Sequence, residues 1–325
     1  MIEDGDWEFE KSAQPKPGDF TFDLDRTLSS VVSVHSKIPD DAFTATFLGT
    51  ERQGNGVIIN DSGLVLTIGY LVTEAEQVWL ISEDQLAVPA HVVGFDQETG
   101  FGLVQALGRM DLPAIKCGSV TTASVNDEVI IAGAGGRRHS LKARIMAMQE
   151  FAGYWEYALN LAIFTAPPHP LWGGAALISG DGDLLGIGSL FLQNATEGGA
   201  PGNGNMFVPI DLLEPILEDI LKFGKPNKPP RPWLGIYTAE AEGNLIVTGL
   251  AANAPAERGG VRVGDVLKKV SGEPITSQIE FYRDIWSLGP AETTIPLTVL
   301  RGGENLFLEV RSGDRNDFLI SPKLH

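Results

Sequence analysis

Apolar and polar positions alternate along this chain in short runs rather than long helical stretches. Between about residues 29 and 207, apolar or alternating segments at 56–59, 64–72, 78–81, 87–95, 101–107, 129–134, 141–148, 159–165, 175–178 and 184–192 are broken by turn clusters such as Asp61-Ser62-Gly63 and Gly180-Asp181-Gly182. Short strands with turn chemistry between them predict a barrel or paired barrels. The period then changes. Leu212, Leu213, Ile216, Leu217, Ile220 and Leu221 recur at helical spacing, Asp211 stands as an N-cap with Glu214 three places on, and Gly224 ends the helix. Residues 225–232 hold four prolines in eight positions, an extended and stiff connection that marks a domain boundary. Beyond it, 244–250, 266–270, 295–300 and 306–310 read as strands. Ser277 with Glu280 opens a helix carrying Phe281, Tyr282, Ile285 and Leu288 before Gly289 closes it. A small α+β module results.

Length and charge refine this division. The 325 residues, at the usual ~150 per domain, fit two domains with cores of their own. The longest apolar run, 184–192, falls well short of the ~18 to 20 residues that cross a bilayer, so no membrane span is expected. With 42 acids against 24 bases the net charge is −18, which excludes nucleic acid as a general partner. Residues 1–26 contribute −5 (8 acids, 3 bases), 27–224 contribute −13 (22 and 9), and 225–325 contribute 0 (12 and 12). The acidity therefore belongs to an amino-terminal arm and the β domain. Cys117 is the only cysteine, and His35, His91, His139, His169 and His325 show no paired metal-binding spacing, so no metal or cofactor is expected. The start Met-Ile-Glu-Asp-Gly-Asp lacks the basic, then apolar, pattern of a secretory signal. The expectation is a cytoplasmic protein, or a periplasmic one from which a leader has been removed.

Specific motifs sharpen the picture. Residues 54–67, beginning Gly54-Asn55-Gly56-Val57 and ending Val65-Leu66-Thr67, are followed by 89–96. Together they resemble the first barrel of HtrA-type, DegP-like trypsin-like serine proteases. Trp172-Gly173-Gly174-Ala175 with Gly182-Asp183-Leu184-Leu185-Gly186 is similar to that family's nucleophile loop and the hairpin after it. Arg231-Pro232-Trp233-Leu234-Gly235-Ile236 resembles the entry to its PDZ domain, and residues 254–267 with 271–275 match the PDZ pattern. The resemblance spans about 29–318. It implies a mostly β chain: an acidic arm (1–26), a trypsin-like double β-barrel (27–224), a proline-rich linker (225–232) and a small α+β PDZ domain (233–318).

The catalytic positions depart from that pattern. Tyr70 stands where the family's general-base histidine belongs, Gly100 where its orienting aspartate follows Asp96-Gln97-Glu98-Thr99, and Trp172 where its serine precedes Gly-Gly. A serine protease needs a hydroxyl nucleophile, an imidazole and a carboxylate. The resemblance also places an oxyanion-hole donor at Pro170, which has no N–H, and losing one such donor costs ~10² to 10³ in rate. The simplest reading is that Tyr70, Leu171 and Trp172 plug the old cleft; a new aromatic ligand pocket is the alternative.

Peptide capture is the function the resemblance leaves standing. Trp233, Leu234, Gly235 and Ile236 resemble the PDZ carboxylate-binding loop, whose backbone N–H groups receive a chain-terminal carboxylate. Phe281, Ile285 and Leu288 share one helical face and either line the side-chain pocket or belong to the core. The expected function is that of a proteolytically inactive homologue, binding carboxyl-terminal or unfolded segments as scaffold, chaperone or regulatory subunit. Two alternatives stand: hetero-assembly with an active paralogue, and a serine endopeptidase with relocated residues. Phe20, Phe22 and Leu24 are placed like the aromatics through which family members trimerise. Arg137, Arg138, His139, Lys142 and Arg144 form a basic island, either paired within the chain or open to an acidic partner.

Overall fold

The computed structural model describes residues 7–193 and 202–320; the first six arm residues and His325 lie outside the described residues. The chain divides into two compact units. The first comprises Met1–Gln149, Leu161–Asn227 and Ile320–His325, and the second Glu150–Asn160 and Lys228–Leu319.

Twelve strands form two closed six-stranded barrels that lie in the first unit except for residues 150–160. Strands β1 (Val31–Lys37), β2 (Glu51–Ile58), β3 (Leu64–Ile68), β4 (Gln77–Ile81), β5 (Ala87–Phe95) and β6 (Phe101–Ala106) close in the order β1-β2-β3-β6-β5-β4. Strands β7 (Glu128–Ala132), β8 (Ser140–Gly153), β9 (Tyr157–Ala166), β10 (Ala176–Ile178), β11 (Leu184–Leu192) and β12 (Gly204–Pro209) close as β10-β11-β12-β9-β8-β7. The neighbouring strands of known register in both barrels are antiparallel. Alternation supplies the cores. Val32, Val34, Val57, Leu66, Leu80 and Val104 are fully buried in the first barrel; Val129, Ile131, Ile145, Ile163, Leu177 and Phe207 cluster in the second. Each such side chain contributes about 1.5–3 kcal/mol over an exposed one. Closure also removes the free edges that strands otherwise expose.

Three details differ from the sequence reading. β1 and β12 are strands that it did not mark. The run 64–72 stops being a strand at Ile68 and turns into a 3₁₀ turn, Gly69–Leu71. Asp211 caps no helix: α1 runs Glu214–Phe223 after Leu213, while the Asp211 carboxylate accepts from Ser119 Oγ (2.5 Å) and the Val120 N–H (2.8 Å). That carboxylate ties a distant loop instead of its own helix. Gly224 does end α1, its N–H returning to the Ile220 carbonyl at 2.8 Å.

In the second unit, β13 (Ile236–Ala241), β14 (Asn244–Leu250), β15 (Val266–Val270), β17 (Thr294–Arg301) and β18 (Glu304–Arg311) form a sheet in that order, with the short β16 (Glu273–Pro274) on β15. β13 is therefore an edge strand of this sheet. Helix α2 (Gln278–Ser287) starts at Ser277, whose Oγ accepts from the Glu280 N–H at 3.3 Å. Ile236, Val247, Leu267, Phe281, Ile285 and Leu297 meet in one core.

Candidate functional site

The first candidate lies where β3 ends. The turn Gly69–Leu71 presents Tyr70, and the Gly69 N–H donates to the Gly100 carbonyl at 2.6 Å, so the two positions are neighbours. Gly100 closes a turn in which the Asp96 carboxylate accepts from the N–H groups of Glu98 (3.2 Å) and Thr99 (3.0 Å). Its φ is +83°, in the region that glycine enters without steric cost. From the other side, buried Arg52 donates through Nη1 to the carbonyls of Tyr70 (2.7 Å) and Thr73 (3.1 Å), fixing the turn. Burial lowers the Arg52 guanidinium to about 10, and the Glu74 carboxylate works against that shift.

Asn55 on β2 holds the Trp172 loop. Its Nδ2 donates to the carbonyls of Leu171 (2.9 Å) and Gly173 (3.1 Å), its Oδ1 accepts from the Ala134 N–H (2.9 Å), and its own N–H donates to Gly173 O (2.8 Å). The Tyr70 hydroxyl donates to the Ser189 carbonyl at 3.0 Å. The Trp172 ring lies 5.4 Å from that of Phe191. Both aromatics are thus anchored towards β11. Burial holds the Tyr70 phenol far above its ordinary range, although the Trp172 side chain hydrogen-bonds to it, so it stays protonated and is no base.

With Trp7, His35, His139 and Pro170, Tyr70 and Trp172 line a cavity of about 670 Å³. His169, fully buried, is nearby but committed. Its Nδ1 accepts from the Leu171 N–H (3.0 Å) and its Nε2 faces the His139 carbonyl (3.0 Å), which assigns the proton to Nε2. Burial lowers this imidazole to about 4. Neither nitrogen is free to take a proton from a nucleophile, and Pro170 offers no N–H. Tyr70, Trp172 and Pro170 line this cavity and Gly100 adjoins the Tyr70 turn; the four include no serine hydroxyl, no imidazole and no carboxylate.

The second candidate is the loop Trp233-Leu234-Gly235-Ile236. The carbonyls of Leu234 and Gly235 are taken by the N–H groups of Ala256 (2.8 Å) and Ala251 (2.9 Å), and Trp233 pairs with Gly313. Three successive N–H groups, those of Leu234, Gly235 and Ile236, are what the loop presents. Gly235 makes this possible at φ +76°, where a Cβ would lie 2.4 Å from that of Ala254. Successive N–H groups turned to one side form an anion-binding concavity. All three point at the carboxylate of Glu156: Leu234 N to Oε2 (3.0 Å) and Oε1 (3.3 Å), Gly235 N to Oε1 (2.6 Å), Ile236 N to Oε1 (2.8 Å). Burial pushes the Glu156 carboxyl up to about 7, against the downward pull of those donors and of Arg315.

Comparison with known proteins matches the trypsin-like peptidase domain family over residues 54–187 and the PDZ domain family over 232–311. The chain has a trypsin-like β-barrel domain followed by a PDZ domain, and in this it resembles HtrA-type, DegP-like proteins. A Pseudomonas putida protein named probable periplasmic serine endoprotease DegP-like is 26% identical over 280 residues, covering 80% of this chain and 56% of the relative. The HtrA-like chain thus spans about half the length of such relatives. Serine endoprotease DegS of Salmonella typhimurium is 23% identical over 319 residues, covering 92% and 87%. The solved HtrA-type protease AlgW with tripeptide shares the fold, with a TM-score of 0.53 at 20% identity, covering 92% of this chain and 97% of that one. Among the described residues no helix is long and apolar enough to cross a membrane, and no group of three or more His, Cys, Asp or Glu is placed to hold a metal.

Other predicted positions of this HtrA-like chain divide. Phe281 and Ile285 are core, with no exposure, because the α2 face that carries them is the face packed on the sheet; Leu288 is 36% exposed. Leu24 is buried at 1% exposure within its own chain. Phe20 and Phe22 pair at 5.2 Å, and Phe22 covers Gly182. In the basic island Arg137 pairs with Asp25 (2.8 Å), Lys142 with Asp19 (3.8 Å) and Arg144 with Glu128, while the His139 ring stacks on Trp7. Sequence reasoning passed over Asn55, Arg52 and Glu156. The signal for Glu156 was a carboxylate in the aromatic turn Tyr154-Trp155-Glu156-Tyr157, but nothing local links it to Leu234.

Proposed function

We propose that this HtrA-like protein is proteolytically inactive and reads peptide carboxyl termini or unfolded segments through its PDZ domain, as scaffold, chaperone or regulatory subunit. The observation that carries the reading is the convergence of the Leu234, Gly235 and Ile236 N–H groups on one carboxylate, the chemistry needed for a chain terminus. AlgW solved with a tripeptide supports peptide as the ligand class. Inactivity is supported by Tyr70, Gly100, Trp172 and Pro170, which supply none of the groups of acyl transfer. In this reading 27–224 is a protease-fold scaffold, 225–232 a linker and 233–318 the peptide reader. The relatives' names favour the periplasm over the cytoplasm.

The test is a titration of the full chain with a fluorescent decapeptide ending in Leu-Val with a free carboxylate, and with its carboxyl-terminal amide. The acid is expected to bind roughly 10-fold or more tighter, the worth of a charge-assisted hydrogen-bond set. Equal binding of acid and amide contradicts the carboxylate reading, and labelling at one site by a serine-directed fluorophosphonate contradicts the inactivity.

A further inference from the structure

We infer that Glu156 is an internal ligand of the carboxylate-binding loop: its side chain occupies the seat of a peptide's terminal carboxylate and must leave before a peptide enters. The inference rests on the reading of that loop as a peptide site.

The carboxylate accepts from all three N–H groups the loop presents, at 2.6 to 3.3 Å. A surface glutamate meeting a helix cap or a lone amide does not fill a three-donor array; this one leaves none of the three for another anion. Backbone pairing adds to the mimicry. The Thr238 N–H on edge strand β13 donates to the Tyr154 carbonyl at 3.2 Å. An added peptide pairs with a sheet edge in this way, and the carboxylate follows two residues later. On the opposite wall, the Tyr282 hydroxyl of α2 donates to the Gly153 carbonyl (2.8 Å) and accepts from the Glu156 N–H (3.2 Å). Arg283 of α2 donates to Glu150 (2.8 Å) and Asn160 (3.3 Å). Ala152 and Ala158 pack on the core that contains Phe281 and Ile285. The segment 150–160 thus lies between β13 and α2, where a strand-adding peptide would lie.

The backbone carries the same message. Residues 154–156 form a three-residue turn between β8 and β9, and Glu156 has φ +58°. Such loops place glycine at their left-handed position; a side chain there costs roughly 1 kcal/mol. A glutamate stands at that position, and its carboxylate is the group the loop holds.

The experiment compares the full chain with its Glu156→Gly variant, which suits the left-handed turn and so preserves the fold. Amide hydrogen exchange at Leu234, Gly235 and Ile236 is expected to accelerate about 10-fold or more in Glu156→Gly. Affinity for the Leu-Val carboxylate peptide is expected to rise by a similar factor, because the competent state is no longer a minor fraction. Tyr282→Phe, which loosens the turn and leaves the loop intact, is expected to shift both readouts in the same direction by less. Unchanged exchange in Glu156→Gly, or peptide bound equally by both proteins, overturns the inference; in the second case the peptide reading survives. Accelerated exchange with no peptide bound by either protein overturns the peptide reading and supports Glu156 in the seat.

Discussion

The cleft beside Tyr70 and the loop Trp233-Leu234-Gly235-Ile236 are built from different materials. The cleft of a serine protease works through side chains, and the positions that the resemblance assigns to that chemistry carry Tyr70, Gly100 and Trp172 here. Its scaffold is nevertheless tightly held, with Asn55 bonded to Leu171, Gly173 and Ala134 and Arg52 to the Tyr70 turn. The loop works through backbone N–H groups, which every residue except proline supplies. Its one strict requirement is Gly235 at φ +76°. A side-chain site depends on the identity of each residue in it; a backbone site depends on the conformation its backbone holds.

The largest effect expected from breaking this contrast is at Gly235. Gly235→Ala brings a Cβ to 2.4 Å from that of Ala254 at a positive φ, a combination of strain and overpacking worth about 2–5 kcal/mol. Carboxylate-peptide binding should fall about 100-fold or more, read by fluorescence titration of the full chain. Equivalent binding by Gly235→Ala would show that the loop conformation does not matter.

On the cleft side, the buried neutral His169 sets a pH dependence. Its pKa falls from 6.5 when unfolded to about 4 when folded. The contribution is therefore complete above about 6.5 and lost as pH falls through 4, about 3 kcal/mol in all. Denaturant midpoints should drop across that window, and His169→Gln should flatten the drop. A slope unchanged in His169→Gln would remove the buried-neutral assignment. The smallest effect belongs to the arm. Arg137 and Asp25 pair at 2.8 Å, but both side chains are about half exposed, so Arg137→Ala should cost no more than ~1 kcal/mol and less in high salt. A larger, salt-independent loss would mean that the basic island anchors the arm more firmly than one exposed pair does.

The fold was legible because its signals are local. Alternation marked strands such as β5 and β11, Gly224 stopped a helix, and Ser277 with Glu280 started one. What stayed hidden depends on distant partners. Asp211 has the look of an N-cap, yet its carboxylate serves Ser119 and Val120 some ninety residues away. Phe281 and Ile285 stand at i and i+4, a pattern shared by a groove wall and a core, and only burial decided for the core. The loop Trp233-Leu234-Gly235-Ile236 could be read from sequence; its contact with Glu156, 78 residues earlier, could not. Tyr70 and Trp172 stood out in the sequence, whereas the cavity they line with Trp7 and His139 is assembled from residues far apart in the chain.

The most direct test of inactivity is mass spectrometry of unfolded casein after prolonged incubation with the full chain. Casein should stay intact, as in a matched blank. Fragments that disappear when one residue of the chain is replaced would contradict the account.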